Sequence, residues 1–236
     1  MKWTEDNPGI GFIDTELPEK YSIEDPGTKR CDALGTGTEG GNDMAKKKEL
    51  SVADLTYIGV FAAIISVLAQ ISIPMPAGVP MTLQTFAIPL AGVVLGRKRG
   101  FLAALVYVLL GAVGVPVFAG FTGGLGIVLG ITGGFIVSFP LMAYLAGLGM
   151  ERSDDASRVK LPLWGGLLIG AALNYAVGTV WFMIAAQASL VTALTGCVVP
   201  FIPTAVIKLV LAGLVGLILR QALLKAGILK PADQAA

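Results

Sequence analysis

Histidine is absent from this 236-residue sequence, and charged residues of both signs are scarce. Without an imidazole the chain lacks the commonest metal ligand and the usual proton shuttle at neutral pH. Charged residues make up 14% of the sequence, whereas a soluble domain carries about 25% on a surface that must be solvated. The net charge of +1 gives no reason to expect a nucleic-acid partner. These shortages argue against an ordinary soluble protein.

Acidic residues are missing from the middle of the chain. Eleven of the sixteen lie within residues 1–50, and none occurs from Leu55 to Met150. An ion-coupled secondary carrier usually binds its ion with a carboxylate or histidine inside the membrane, so this class is disfavoured. A membrane enzyme is disfavoured as well, because paired carboxylates and a Gly-x-Ser-x-Gly elbow are both missing. We expect no catalytic residue, no metal site and no cofactor.

Apolar length is what the sequence has in abundance, with 55% hydrophobic residues and a mean hydropathy of +0.77. A spanning helix needs about 20 apolar residues, and runs without period-two alternation favour helices over a barrel. The sequence therefore predicts an all-α integral membrane protein, a six-helix bundle over residues 46–225. The second and third spans are short, so they require tilt or packing inside the bundle. The predicted spans are 52–73, 82–96, 100–115, 126–149, 162–186 and 199–220.

The two ends of the chain differ from this membrane domain. Residues 1–45 are polar and rich in Gly, Pro, Asp and Glu, so we expect a disordered leader without a core of its own. The leader contains no apolar run that would make a signal peptide. Met44, followed by Lys46–Lys48, would also serve as a start for a membrane protein, in which case the leader is an extension. Residues 226–236 are expected to form a short cytoplasmic tail.

Basic residues alternate between the loops and thereby predict the orientation. The loops expected outside, 74–81, 116–125 and 187–198, contain no Lys or Arg. Because Lys and Arg concentrate in cytoplasmic loops, we expect a multi-pass protein of the plasma membrane with both termini in the cytoplasm. The basic clusters are Lys46–Lys48, Arg97–Arg99, Arg152 with Arg158 and Lys160, and Arg220 with Lys225 and Lys230.

Two outer segments are poor helix material. Residues 73–81 carry three prolines and one glycine, and residues 111–134 carry nine glycines. Irregular backbone at membrane depth persists only where protein buries it or a cavity hydrates it. One interpretation is tight turns with close helix packing through small residues. The other is an outer cavity, lined by the Gly-rich segment and covered by a lid loop. The candidates are Phe118, Thr132 and Gly133 for the lining, and Pro76, Gly78 and Pro80 for the lid.

Lys208 is the one ionisable residue well inside an apolar run, about 14 Å below the outer end of the last span. A buried ammonium needs a partner, water or a cavity. We interpret Lys208 as the counter-charge for an anionic ligand, and a packing lysine satisfied by backbone carbonyls is the alternative.

Asn174 lies at a similar depth in the fifth span. Its amide donates and accepts, which suits a urea or amide group of a ligand, and it suits an interhelical hydrogen bond equally well. Thr82 and Gln84 lie at an outer end, where they could line the same cavity. Gln70 and Gln187 fit interfacial positions.

Several motifs in order along residues 50–225 resemble the BioY family. They are MTLQTFAIPLAG at 81–92, GAVGVPVF at 111–118, GITGG at 130–134, and PFIP at 200–203 with Lys208 five residues on. BioY proteins are biotin-specific substrate-binding subunits of energy-coupling factor (ECF) transporters. The resemblance implies a six-helix bundle that holds biotin near the outer face. It also implies a transmembrane coupling subunit and a pair of ATPase subunits as partners, within the lipid membrane.

The resemblance further implies which small residues of the first span meet the coupling subunit, namely Gly59, Ala62, Ala63 and Ser66. One position departs from the family, which usually has an Asp where Ala205 stands. Because residues i and i+3 share a helix face, Lys208 loses a built-in counter-ion here. A substrate-binding subunit for another anionic vitamin is the nearest alternative. The sequence leaves open whether the protein acts as a homo-oligomer.

We predict that the leader is dispensable, because its composition cannot build a core. A chain shortened to begin at Met44 should insert into membranes and bind ligand as the full chain does. Ligand titration of both chains in detergent checks this. A loss of affinity of about tenfold or more, roughly 1.4 kcal/mol, would assign residues 1–43 a role in binding.

Overall fold

The computed structural model describes residues 51–75, 78–152 and 161–229. The predicted leader, 1–45, and residues 230–236 of the predicted tail lie outside the described residues. Residues 226–229 form a turn at the end of the last helix.

The described chain is mostly helical, as the sequence predicts. Helix α7 (Leu190–Cys197) is an addition to the predicted set, the start of the predicted span 126–149 forms a separate one-turn helix α4 (Leu125–Val128), and a short 3₁₀ helix, Val199–Phe201, precedes the last helix. The α-helices are α1 Val52–Ala69, α2 Gln84–Leu95, α3 Arg97–Val113, α4 Leu125–Val128, α5 Gly133–Glu151, α6 Leu161–Ala186, α7 Leu190–Cys197 and α8 Ile202–Lys225.

Four helical segments in the described residues are long and apolar enough to cross a membrane. They are α1, α5, α6 and the continuous stretch Leu190–Lys225. Helix α2 has 12 residues, and α3 has 17 residues with three basic residues in its first turn. These four segments agree with the prediction of a membrane protein, whereas the count of six crossings and the side of each terminus stay predictions.

The structure departs from the predicted segments in two places. The predicted outer loop 187–198 contains α7, whose N-cap Ser189 accepts a hydrogen bond from the Thr192 amide at 3.3 Å. The segment before α2 contains two short antiparallel strands, β1 Ser72–Ile73 and β2 Met81–Thr82. Proline cannot donate a backbone hydrogen bond. The residues on either side of the proline-rich segment therefore satisfy their backbone groups by pairing with each other as β1 and β2.

Helix α2 lies in the interior of the bundle, which explains how so short a helix is accommodated. It packs against α3, α5 and α8, and its residues from Ala87 to Leu95 are all buried. Glycine allows the close approach. A Cβ on Gly92 would collide with the Ala143 carbonyl of α5, and one on Gly216 of α8 would lie 2.7 Å from Val93 Cγ1.

Both acidic residues within the described ranges form ion pairs beyond the carboxyl end of α2. Arg97 Nε lies 3.0 Å from Glu151 Oε2, and Arg99 Nη2 lies 2.8 Å from Asp54 Oδ1. These pairs connect α3 to α5 and to α1. Neither carboxylate is therefore near the amino end of α2.

We predict that Gly166→Ala destabilises the protein and that Gly165→Ala does not. A Cβ on Gly166 would lie 2.5 Å from the Leu145 carbonyl oxygen of α5, whereas one on Gly165 meets nothing within 4 Å. Overpacking costs about 1–3 kcal/mol, while an unobstructed Gly→Ala change inside a helix gains up to about 1 kcal/mol. Thermal unfolding of both variants in detergent measures the difference. Equal melting temperatures would contradict this account of the α5–α6 contact.

Candidate functional site

A cavity of about 280 Å³ lies among the segments that the sequence predicts to be outer. Small-molecule sites commonly enclose about 300–1,000 Å³, so the cavity suits a compact ligand. The start of α2, the loop after α3, the first turns of α5, and parts of α6, α7 and α8 form its walls. Of the predicted binding residues, Lys208, Asn174, Gln84, Thr82, Thr132 and Phe118 line it, as do Gly78 and Pro80 of the predicted lid.

Lys208 is half-buried on α8, lines the cavity and points its ammonium to strand β2. Its Nζ donates to the backbone carbonyl of Thr82 at 2.7 Å. An ammonium has three N–H donors, so this bond leaves two for a ligand. Since both carboxylates in the described ranges are paired elsewhere, Lys208 faces no counter-ion there. The backbone carbonyl that a packing lysine would need is present. The cavity that an anionic ligand would need is present as well.

Gln84 and Thr82 belong to a buried polar network at the start of α2. The Thr82 hydroxyl donates to Gln84 Oε1 at 3.0 Å, and Gln84 Nε2 donates to the Tyr107 hydroxyl. The Tyr107 ring packs edge-to-face on Phe118, with centroids 5.6 Å apart. This network makes Thr82 and Gln84 a rigid wall. Tyr107 was not predicted from the sequence, because the pattern of an apolar run does not show which way a tyrosine within it faces.

Asn174 connects α6 to α5 and is fully shielded from solvent. Its Nδ2 donates to the Phe135 carbonyl at 3.0 Å and to Ser138 Oγ at 2.7 Å. Its Oδ1 has no hydrogen-bond partner within the described ranges. The interhelical role is therefore observed. Asn174 also lines the cavity, so its Oδ1 is a candidate acceptor for a ligand.

Four further aromatic side chains belong to the wall of the cavity, and none of them was predicted from the sequence. Phe135 and Phe139 of α5, Tyr175 of α6 and Phe201 all line the cavity. Phe135 and Tyr175 pack edge-to-face with centroids 6.4 Å apart. An apolar wall with polar groups at its edges suits a ligand with an apolar body and polar ends.

Gly133 supports the cavity from behind instead of lining it, which corrects the prediction for this residue. A Cβ at Gly133 would collide with the Val128 carbonyl and would lie 2.9 Å from Trp181 Nε1 of α6. The Trp181 indole donates to the Gly130 carbonyl at 2.9 Å. The glycines at the start of α5 thus serve close packing, while their neighbour Thr132 reaches the cavity.

The predicted lid borders the cavity in its described part. Gly78 adopts a left-handed backbone with φ of +79°, and a Cβ there would lie 2.9 Å from Ile131 Cδ1. Pro80 lines the cavity beside the buried Val79. Pro76 lies outside the described residues.

The predicted contact face of α1 is exposed at two of its four positions. Gly59 and Ala63 are exposed, and Ser66 is half-buried with its hydroxyl donating to the Ala62 carbonyl at 2.8 Å. Ala62 itself is only 2% exposed because it packs into the core. This residue therefore faces the bundle, which corrects its assignment to a partner surface.

Comparisons with known proteins agree on one family. The BioY family model matches residues 44–225. The biotin transporter BioY of Rhodobacter capsulatus is 40% identical over 180 residues, covering 71% of this chain and 93% of that relative. Its counterpart in Thermotoga maritima is 41% identical over 167 residues, covering 71% and 95%. A crystal structure of the S-component for biotin from an ECF-type ABC transporter superposes with a TM-score of 0.66 at 30% identity, covering 72% and 92%.

Proposed function

This chain belongs to the BioY family, and on that premise we propose that it is the biotin-binding subunit of an ECF-type vitamin transporter. The printed names of its relatives describe biotin transporters, and the solved neighbour is a biotin S-component. In this role the protein captures biotin at the outer face and passes it inward. The single observation that carries the proposal is the cavity with Lys208 at its edge.

The chemistry of the cavity matches the parts of biotin. Biotin has a carboxylate on an aliphatic chain and a fused ring with a ureido group. Lys208 offers two N–H donors and a positive charge to the carboxylate. The aromatic wall suits the apolar body of the ligand, and the unused acceptor of Asn174 suits a ureido N–H group.

We further propose that the protein spans the plasma membrane six times with both ends in the cytoplasm. Helices α2 and α3 supply the two crossings beyond the four long segments, with α2 accommodated by its burial. The alternation of basic loops supports this orientation.

The partners we propose are a transmembrane coupling subunit and ATPase subunits. The sequence contains no Gly-x-x-x-x-Gly-Lys-Ser/Thr loop and thus lacks a nucleotide site of that kind. The exposed small residues Gly59 and Ala63 offer a smooth surface on α1, and small residues allow helices to approach closely in membranes. A second copy of this chain is another candidate for contact within the membrane.

We predict that single cysteines will report the orientation in intact cells. Four exposed positions are suitable, in a chain whose two native cysteines are replaced by serine. Thr122→Cys and Ala186→Cys should react with an impermeant thiol reagent, whereas Lys98→Cys and Ala226→Cys should react only after lysis. Labelling of either pair with the opposite pattern would refute the topology.

We predict that Lys208→Met weakens biotin binding by about ten- to a hundredfold, because a charge-assisted hydrogen bond contributes about 1.5–3 kcal/mol. Lys98→Met removes an exposed lysine and should leave binding unchanged. Calorimetric titration in detergent measures both.

A biotin analogue with an alcohol in place of the carboxylate separates direct pairing from a loss of structure. Wild-type protein should bind the alcohol weakly, and Lys208→Met should weaken that binding little further, since interacting groups are not additive. Equal affinity of wild type and Lys208→Met for biotin would remove Lys208 from the site. A wild-type protein that rejects biotin but binds another carboxylate would identify a different anionic vitamin as the ligand.

A further inference from the structure

Gln70 lies at the carboxyl end of α1 and reaches the loop that follows α3. Its Nε2 donates to the carbonyls of Ser66 at 3.0 Å and Val117 at 3.1 Å, and its Oε1 accepts from the Phe121 amide at 2.8 Å. The orientation of the amide group is unambiguous, because two carbonyls face one atom and an N–H faces the other. All of these polar contacts of Gln70 are with backbone.

The loop from Val117 to Thr122 adopts a conformation that needs such support. The Phe118 amide donates to the Thr122 carbonyl at 2.9 Å, which closes a tight turn. Within this turn Gly120 and Phe121 have φ values of +69° and +56°. A left-handed backbone is unfavourable for a bulky residue such as phenylalanine. The bond from the Phe121 amide to Gln70 compensates at the strained residue itself.

Phe118 is the side chain through which this loop reaches the cavity. It is 1% exposed, lines the cavity and packs on Tyr107. A Cβ on Gly111 would collide with the Phe118 ring, so the ring fits into a space without spare room. Any change in the loop must therefore move a wall of the cavity.

We propose that Gln70 is a positioning residue for the biotin cavity. By bonding to Val117 and Phe121, Gln70 fixes both sides of the 117–121 loop and so keeps Phe118 in the cavity wall. This inference rests on the proposed function for the identity of the ligand. It also makes α1 a structural part of the cavity, since Ile71, next to Gln70, accepts a hydrogen bond from the Leu83 amide at 3.1 Å. The carboxyl end of α1 thus contacts two segments that form walls of the cavity, the loop after α3 and the segment before α2.

Affinity measurements on a pair of variants test the proposal. Gln70→Leu and Phe118→Leu should each weaken biotin binding by about tenfold, and the double variant should lose no more than the larger single loss, because both act through one wall. Gln187→Leu is the matched control, since among the described residues the Gln187 side chain donates to the Ile184 carbonyl three residues earlier, and it should bind as wild type does. Wild-type affinity of Gln70→Leu, or losses that multiply in the double variant, would overturn the proposal.

A rescue variant separates positioning from general loss of stability. Phe121→Gly should restore most of the affinity of Gln70→Leu, because glycine adopts a positive φ without support. The Phe121 side chain is 72% exposed, so its removal leaves the cavity lining intact. Failure of the glycine to restore any affinity would show that Gln70 does not act through the conformation of the loop.

Thiol labelling supplies a readout that needs no ligand. Ala119→Cys places a thiol on the loop and in the cavity lining, and the native Cys197 lies in the lining on α7. In the Gln70→Leu background, labelling at position 119 should accelerate several-fold while Cys197 in the same molecules stays as slow as before. Peptide mapping distinguishes position 119 and Cys197 from the third thiol, Cys31. Unchanged rates at position 119 would refute the proposal even if biotin binds, and accelerated labelling would uphold the loop's dependence on Gln70 even if biotin proves not to be the ligand.

Discussion

The region around the cavity depends on one constraint: backbone groups within a membrane must find partners within the chain. Prolines and glycines prevent a regular helix in residues 73–75, 78–81 and 114–124, so the backbone groups there need other partners. Strands β1 and β2 pair across the proline-rich turn, and Gln70 holds the loop after α3. Each of these contacts also places a wall of the cavity. The shape of the binding site therefore follows from how irregular backbone is satisfied.

The interior position of α2 connects the packing of the bundle to the chemistry of the site. Glycines at the α2–α5 and α2–α8 contacts let the backbones approach closely, so that a 12-residue helix is enclosed on several sides. Its amino end then presents Thr82 and Gln84 inside the bundle and not to lipid. The buried network with Tyr107 satisfies these polar groups, and an unsatisfied buried donor would cost about 1–3 kcal/mol.

The sequence predicts the parts of the fold that depend on local composition. Apolar length locates the helices, and an isolated charge identifies Lys208, because few explanations exist for an ammonium within a span. The aromatic wall could not be predicted in this way, since a membrane helix is apolar all round and Phe135 gives no sign of facing inward. Gln70 was equally hidden, because its loop partner lies 47 residues away. The role of Gly133 depends on a contact with Trp181 of α6, and a local sequence pattern does not indicate such a contact.

Among the described residues no carboxylate faces Lys208, and this would explain how the proposed site selects its ligand. A carbonyl such as that of Thr82 carries only partial charge, so the ammonium stays costly to desolvate. The family's usual acid, absent here at Ala205, would lower that cost in the empty cavity. In this chain a ligand carboxylate would have to lower the cost of desolvating the ammonium. A neutral molecule of the same shape would leave the cation unpaired in the filled cavity. Under the proposed function, discrimination against neutral analogues would thus come from Lys208, whereas discrimination among anions would depend on the aromatic wall that Gln70 is proposed to hold.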